Sequence, residues 1–257
     1  MNIIAITQAR IGSTRLPAKI LKEINGKSLL DYHLQRIKKS KLISNTIVAT
    51  TDEEESDIIV EIANRNQALS YKGSLNNVLE RFYKAAESQN PDYIVRLTSD
   101  CPLIDAKVID EALEIIINND YDYVATGLIP SYPDGISIEV FSFSALQKAY
   151  FEAELQSERE HVTPYIWKNS TTKGGSLFKS FNLKNTIDYS RYRLTVDTIE
   201  DFQLIELLIN EVGADNDWMD YINYLEKNSS AFEINNKYLR NEGYTQSLNN
   251  EKNINHG

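Results

Sequence analysis

Through the first half of the chain, short runs of β-branched and other apolar residues alternate with stretches whose apolar positions recur every three or four residues. The runs read as buried strands, and the wider period reads as helices with one face turned inward. Strands are predicted near 2–7, 46–51, 68–71, 93–98 and 121–126. Between them, Leu29, Leu30, His33, Leu34 and Ile37 share one helical stripe, as do Val78, Leu79, Phe82 and Ala86, and later Val108, Ala112, Ile115 and Ile116. This alternation predicts an α/β fold, a mostly parallel (mixed) central sheet flanked by helices. Right-handed crossovers then gather the loops that follow the strands along one sheet edge, where ligands of such folds sit. The second half is less regular. Strands are expected at 136–141, around 178–183 and at 193–196, with helices at 143–153 and 199–212, the last turning Phe202, Ile205, Ile209 and Val212 inward.

From about residue 228 the composition shifts to Asn, Ser, Glu and Lys with few apolar anchors. The expected organisation is therefore one domain over 1–227 and a polar tail over 228–257, partly helical or flexible. A chain of 257 residues, 42% hydrophobic and 25% charged, can bury a substantial core. Its net charge of −10 argues against nucleic acid or acidic membranes as partners, so any anion site must be local. One cysteine, Cys101, excludes an internal disulfide and fits a reducing compartment. No apolar stretch approaches a membrane span, and the N-terminal apolar run is only a strand long, so a cytoplasmic protein is expected.

Directly after the first strand, Gln8-Ala9-Arg10-Ile11-Gly12-Ser13-Thr14-Arg15-Leu16-Pro17-Ala18-Lys19 sets two arginines and a lysine on a Gly/Ser/Thr loop. Gly12 and Ser13 would let backbone N–H groups approach an anion, and the three cations would neutralise it. A solvated basic loop is the alternative. Gly26-Lys27-Ser28 is no Walker loop, because Leu21 stands where that motif needs glycine, and Gly26 reads as a turn before a helix. A G-x-G-x-x-G motif is also missing. Two acids close apolar runs: Asp100 in Arg96-Leu97-Thr98-Ser99-Asp100-Cys101-Pro102, and Asp197 in Arg193-Leu194-Thr195-Val196-Asp197-Thr198. A pair of aspartates at strand ends suits Mg²⁺, with phosphate oxygens and water completing the shell. Asp197 reads equally well as the N-cap of the helix behind it.

The segment Ala9 to Lys19 closely resembles the A-R-x-G-S-x-R-L-P-G-K signature of cytidylyltransferases that activate sialic, pseudaminic and 3-deoxy-octulosonic acids. The spore-coat-polysaccharide-type branch is the most similar. Ala18 replaces the usual glycine, so its backbone is expected to avoid a conformation only glycine favours. Arg96-x-Thr98-x-Asp100-x-Pro102 and Val196-Asp197-Thr198-x-Glu200-Asp201 resemble two further motifs of the family. The resemblance implies a nucleotide-diphospho-sugar transferase-like (Rossmann-like) enzyme that transfers CMP from CTP to an acidic or unusual sugar and releases pyrophosphate, for surface polysaccharide or glycan biosynthesis. It implies Arg15, Lys19 and Asp100 as catalytic residues, with Mg²⁺ on Asp100 and Asp197. It also implies nucleotide contacts from Gln8, Ala9, Arg10, Gly12, Ser13, Arg15, Lys19, Arg96, Asn77 and Arg81, with Arg10, Arg15 and Lys19 on the triphosphate. A homodimer rests on resemblance alone.

Two weaker blocks, Tyr132 to Phe141 and Arg159 to Tyr165, match the same branch. Asp134 and Glu139 could touch sugar hydroxyls, although Asp134-Gly135 is also an ordinary turn. Arg159, Glu160 and His161 could bind an acidic sugar or belong to a salt-bridged helix start. His33 reads as a core or interface histidine and Cys101 as packing. The stretch from Phe232 to Leu248 resembles the tail of the spore-coat-type branch, a short helix and arm that docks on the body or on a second subunit. A glycosyltransferase of the same architecture is the competing enzyme reading. Its usual Asp-x-Asp is missing beside the Arg96 strand, and Asp120-Tyr121-Asp122 precedes a strand rather than following one. A non-catalytic nucleotide-sugar-binding protein is the alternative outside enzymes.

Overall fold

The computed structural model describes residues 1–254. In chain order the elements are β1 (Ile3–Gln8), the hairpin strands β2 (Glu23–Ile24) and β3 (Lys27–Ser28), α1 (Leu29–Ile37), β4 (Asn45–Thr51), α2 (Asp57–Arg65), β5 (Leu69–Gly73), α3 (Val78–Glu87), β6 (Tyr93–Thr98) and α4 (Ala106–Asn119). The second half adds β7 (Tyr123–Ala125), β8 (Glu139–Ser142), α5 (Phe143–Glu152), α6 (Gln156–His161), α7 (Pro164–Lys168), β9 (Ser180–Asn182), α8 (Ile199–Glu211), α9 (Trp218–Lys227), α10 (Ser229–Phe232) and α11 (Glu242–Ile254).

Seven strands form one sheet in the order β5-β4-β1-β6-β8-β7-β9. Its first four strands are parallel, and β8 runs antiparallel between β6 and β7. The expected mostly parallel, mixed sheet is thus present. Strand β1 shows why its sequence is continuously apolar: Ile3 and Ala5 pack among α1, α2 and α4, whereas Ile4 and Ile6 pack among α3 and α5. A strand covered on both faces has no polar side to display. The chain leaves β1 for β4 on one side and returns to β6 on the other, so the switch in strand order falls between β1 and β6. Crevices at such a switch are the natural ligand site of open α/β sheets.

Local chemistry sets the neighbouring elements. Asn25 and Gly26 take positive φ, 52° and 75°, in the β2–β3 turn, and Ser28 caps α1 in a reciprocal pair with Asp31. Gly26 is therefore the turn before a helix. The predicted helical stripes on α1, α3 and α4 are buried, with Ile115 only partly so. On α8 the inward face is Leu204, Ile205, Leu208 and Ile209, while Phe202 and Val212 are half-buried. Val212 lies at the C-cap, beyond the last full turn, which shifts the stripe from the one expected. The segment 193–196 is not a strand. It makes a single bridge, between Asp134 and Arg193, because it is wedged between the 133–136 turn and the loop after β6 rather than aligned with a neighbouring strand. Within 229–254 the chain forms α10 and α11 with a non-helical link between them, and α11 lies against α6.

Candidate active site

Register places the first groups of the site. Gln8, the last residue of β1, pairs with Thr98, the last residue of β6, so Ala9-Arg10 and Ser99-Asp100 leave the sheet side by side. The Ser99 amide extends that pairing to the Gln8 carbonyl at 3.3 Å. Asp197 arrives by another route. The Val196 amide donates to the Asp100 carbonyl at 2.8 Å and the Thr195 hydroxyl to the same oxygen at 3.2 Å, tying the 193–197 segment to the loop after β6. Thr198, not Asp197, is the N-cap of α8, and Asp201 closes its capping box. The Asp197 carboxylate is thereby released from capping and turns to the site.

There the two acids share one cation. The Lys19 ammonium donates to Asp100 and to Asp197, each at 2.8 Å, and Arg15 reaches Asp197 at 2.9 Å. Burial alone would raise the Asp100 carboxyl, but the Lys19 charge and hydrogen bonds from Lys19, Thr98 and Cys101 hold it well below the ordinary carboxylate range. Burial would lower the Lys19 ammonium, and the two acids more than reverse that, so it stays charged. The two carboxylates therefore accommodate a positive charge between them. An all-oxygen pair of this kind fits Mg²⁺, which takes one or two protein carboxylates and completes its shell from phosphate and water. Among the described residues no cluster of three or more metal-ligating side chains occurs.

Arg193, a residue the sequence gives no evident role, is the hub behind Asp197. Its guanidinium reaches Asp134 at 2.8 Å, Asp197 at 2.8 Å and Asp201 at 2.9 Å. Asp201 is fully buried and also accepts from the Asp197 and Thr198 amides and from Asn235. The turn at Asp134-Gly135 exists to bring this hub together. A Cβ at Gly135, whose φ is 105°, would lie 2.5 Å from the Leu194 carbonyl carbon, so only glycine permits the approach. The four-residue spacing of Arg193, Asp197 and Asp201 is no helical signal, since Arg193 and Asp197 precede α8, so the hub shows only in the fold.

The loop after β1 departs from expectation in two ways. Its Ser13 amide donates to the Ile11 carbonyl at 2.8 Å and is not free for an anion, and Gly12 lies outside the cavity with open space where a Cβ would be. The cradle is thus made by side chains more than by amides. Ala18 adopts φ 52° and ψ 31°, the left-handed conformation it was expected to avoid. Closing the loop through the Ala18 amide to the Ile11 carbonyl holds it there.

A cavity of about 970 Å³ opens over these groups. Gln8, Ala9, Arg10, Ser13, Arg15, Lys19, Arg81, Arg96, Asp100, Asp134, Glu139, His161 and Asp197 all line it, so most of the predicted residues are brought together. Two others are not. Asn77 caps α3 by accepting from the Glu80 amide at 3.1 Å, and Arg159 donates to the Ala153 carbonyl at 2.8 Å at the end of α5. Their polar groups are spent on helix ends. Arg96 faces Glu139 directly across β6 and β8, forms an ion pair with it and donates to Gln8, so its charge is matched internally. Glu139 also accepts from Tyr123 and, at 2.6 Å, from Thr163. By contrast, among the described residues neither Arg10 nor Arg81 forms an ion pair. Burial, with Arg10 adding repulsion, pushes the Arg81 guanidinium down to about 10, and its Nε has no partner.

Two expected core groups are confirmed. His33 is fully buried between the Thr7 hydroxyl and the Cys101 carbonyl, each at 2.9 Å. The carbonyl can only accept, so Nδ1 carries the proton and the ring is neutral; burial pushes its pKa down to about 4. Burial, with Asp100 beside it, pushes the Cys101 thiol far above its ordinary value, which excludes a thiolate nucleophile. At the junction of α6 and α7, Val162 takes φ 72° and ψ −57°, with the Thr163 amide donating to the His161 carbonyl at 2.9 Å. This γ-turn is strained for a β-branched residue, at about 1–3 kcal/mol, and it directs its two neighbours to the cavity wall.

Residues 4–240 match the family described as Cytidylyltransferase. An uncharacterized protein of Methanocaldococcus jannaschii is 41% identical over 249 residues, covering 96% of this chain and 99% of that one. The spore coat polysaccharide biosynthesis protein SpsF of Bacillus subtilis is 31% identical over 237 residues, covering 90% of this chain and 96% of its own. Among solved structures, a cytidylyltransferase from Leptospira borgpetersenii serovar Hardjo-bovis superposes with a TM-score of 0.86 at 37% identity, covering 93% of this chain and 100% of the other. No helix among the described residues is long and apolar enough to cross a membrane. With a match running from the first strand to the arm before α11, the chain belongs to the cytidylyltransferase family and is a nucleotidyltransferase.

Proposed function

We propose that the protein transfers CMP from CTP to an acidic or otherwise unusual sugar of the nonulosonic or octulosonic type, releasing pyrophosphate, in surface polysaccharide or glycan biosynthesis. One observation carries this reading: the cations of the loop after β1 and the acids delivered after β6 and before α8 meet in a single ion-pair network, Arg15–Asp197–Lys19–Asp100. In-line attack of a sugar hydroxyl on the α-phosphorus needs little covalent help from a protein, so position and charge carry the catalysis. Arg10, Arg15 and Lys19 bind the β- and γ-phosphates and stabilise the charge that gathers on departing pyrophosphate. Asp100 and Asp197 would hold Mg²⁺, which supplies charge neutralisation at the phosphates. The Arg193 hub keeps Asp197 aimed at that place. Arg10 and Arg81, two cavity cations without carboxylate partners among the described residues, draw the nucleotide toward the start of α3. The side built by α6 and α7 presents Glu160, His161 and Thr163, hydrogen-bonding groups suited to a polyol acceptor.

The test is pyrophosphate release on mixing the protein with Mg²⁺, each of the four nucleoside triphosphates, and 3-deoxy-octulosonic, sialic or pseudaminic acid. Release is expected with CTP and at least one of these acids. No release with any pair, together with turnover of a ready-made CMP-sugar, supports the glycosyltransferase reading instead.

A further inference from the structure

We propose that the C-terminal arm, residues 239–254, completes the acceptor side of the cavity and that the ring of Tyr244 is a specificity-determining contact for the sugar. The inference rests on the transfer reaction proposed above. The arm shares its cavity with the phosphate cradle, since Leu239, Arg240, Glu242, Tyr244 and Ser247 line the same space as Arg15 and Lys19. Tyr244 stands edge-on to His161, with ring centres 5.1 Å apart at 90°, and to Trp167, at 5.9 Å and 72°. Three rings from α6, α7 and α11 thus form one wall. Aromatic faces and edges interrupted by a few polar groups are what a sugar ring, with its C–H patches and hydroxyl rim, can lie against.

The way the arm is fastened supports a role in the site over a role in the core. Its fastenings are polar. Arg240 donates to the Tyr132 carbonyl and the Ser137 hydroxyl, each at 3.0 Å; Glu242 pairs with Arg15 at 2.9 Å; Ser247 bonds to His161 and Glu160, each at 3.0 Å. Leu239, its large aliphatic residue nearest the cavity, is 73% exposed. A segment ordered mainly through contacts to cavity residues is placed to contact what the cavity binds. The nucleotide, drawn toward Arg10 and Arg81, which form no ion pair among the described residues, leaves to the acceptor the aromatic side, where Lys173 over the Trp167 ring is a cation for an acidic sugar. The Tyr244 hydroxyl is buried beside Lys168, out of reach of the cavity, so the ring and not the phenol makes the contact.

Steady-state pyrophosphate release, with CTP binding measured separately by calorimetry, tests the wall. Using whichever of 3-deoxy-octulosonic, sialic and pseudaminic acids the wild-type protein accepts, Tyr244→Ala is expected to raise the acceptor KM at least tenfold and to leave the CTP Kd within twofold. Tyr244→Leu, which keeps apolar bulk to hold the arm, is expected to give a similar rise, and Tyr244→Phe to keep both constants within twofold. An unchanged acceptor KM in the Ala and Leu variants overturns the role of the arm alone. A CTP Kd that weakens as much as the acceptor KM also overturns it, since the arm then serves the whole site. Wild-type protein that binds CTP and turns over none of the three acids overturns the transfer reading, and the arm's role with it.

Discussion

The two acids of the site reach nearly the same point by different means. Asp100 follows a regular parallel strand, and the hydrogen-bond ladder between β1 and β6 fixes where it emerges. Asp197 ends an irregular segment that pairs with no strand, and its place depends on a buried arginine, three other side chains and one glycine. Backbone register is spread over many bonds and tolerates the loss of one side chain. A polar hub concentrates the same task in a few buried groups, each costly to leave unpaired.

Breaking the hub should therefore have the largest effect on the fold. Arg193→Met leaves the fully buried Asp201 without its counter-charge and Asp134 with only the longer Arg240 pair at 3.7 Å, and about 3–5 kcal/mol of stability is expected to be lost. Thermal melts would read this as a fall of roughly 10 °C in Tm for a chain of this size. A melt within 2 °C of wild type would show that the hub does not hold the segment.

A titration sharpens the other side of the comparison. His33 joins β1 to the loop after β6 and is held neutral, with its pKa pushed down to about 4 by burial. The unfolded chain takes a proton at this position near the ordinary histidine value, before the folded one does. Stability is thus full above about pH 6.5 and falls as the pH drops toward 4, by about 3 kcal/mol at most. His33→Gln should flatten that part of the pH profile in denaturant titrations; an unaltered slope would remove His33 as its source.

Smaller effects probe the loop between the two acids. Glu242 occupies Arg15 in a half-exposed pair, worth at most about 1 kcal/mol. Glu242→Gln is expected to tighten CTP binding by up to about fivefold in calorimetry, and weaker binding would mean that the arm assists the nucleotide directly. Ala18→Gly relieves a left-handed alanine at the expense of a freer unfolded chain, for a net gain of about 0.5 kcal/mol. A loss of stability would show that the loop is not strained there.

The same contrast decides what the sequence discloses. The parallel half was legible because strands buried on both faces read as continuous apolar runs and its helices carry clean stripes. Arg10, Arg15, Lys19 and Asp100 follow those strands directly, so their convergence could be read. The hub was not legible, because Arg193 reads as one cation among apolar neighbours until the 133–136 turn is folded against it. Asn77 and Arg159 misled for a related reason, since helix ends absorb the polar groups that a motif offers to a ligand. Tyr244 and Trp167 drew no attention, because rings from separate helices become one wall only in three dimensions.

The central claim is that Asp100 and Asp197 together hold the cation that engages the nucleotide phosphates. Calorimetric titration of CTP with and without Mg²⁺, for wild type and Asp100→Asn, tests it most directly. Wild type should bind CTP at least tenfold more tightly with Mg²⁺, and Asp100→Asn should lose that gain and its turnover while melting within about 2 °C of wild type. Equal Mg²⁺ dependence in the two proteins, with normal turnover by the variant, would contradict the account.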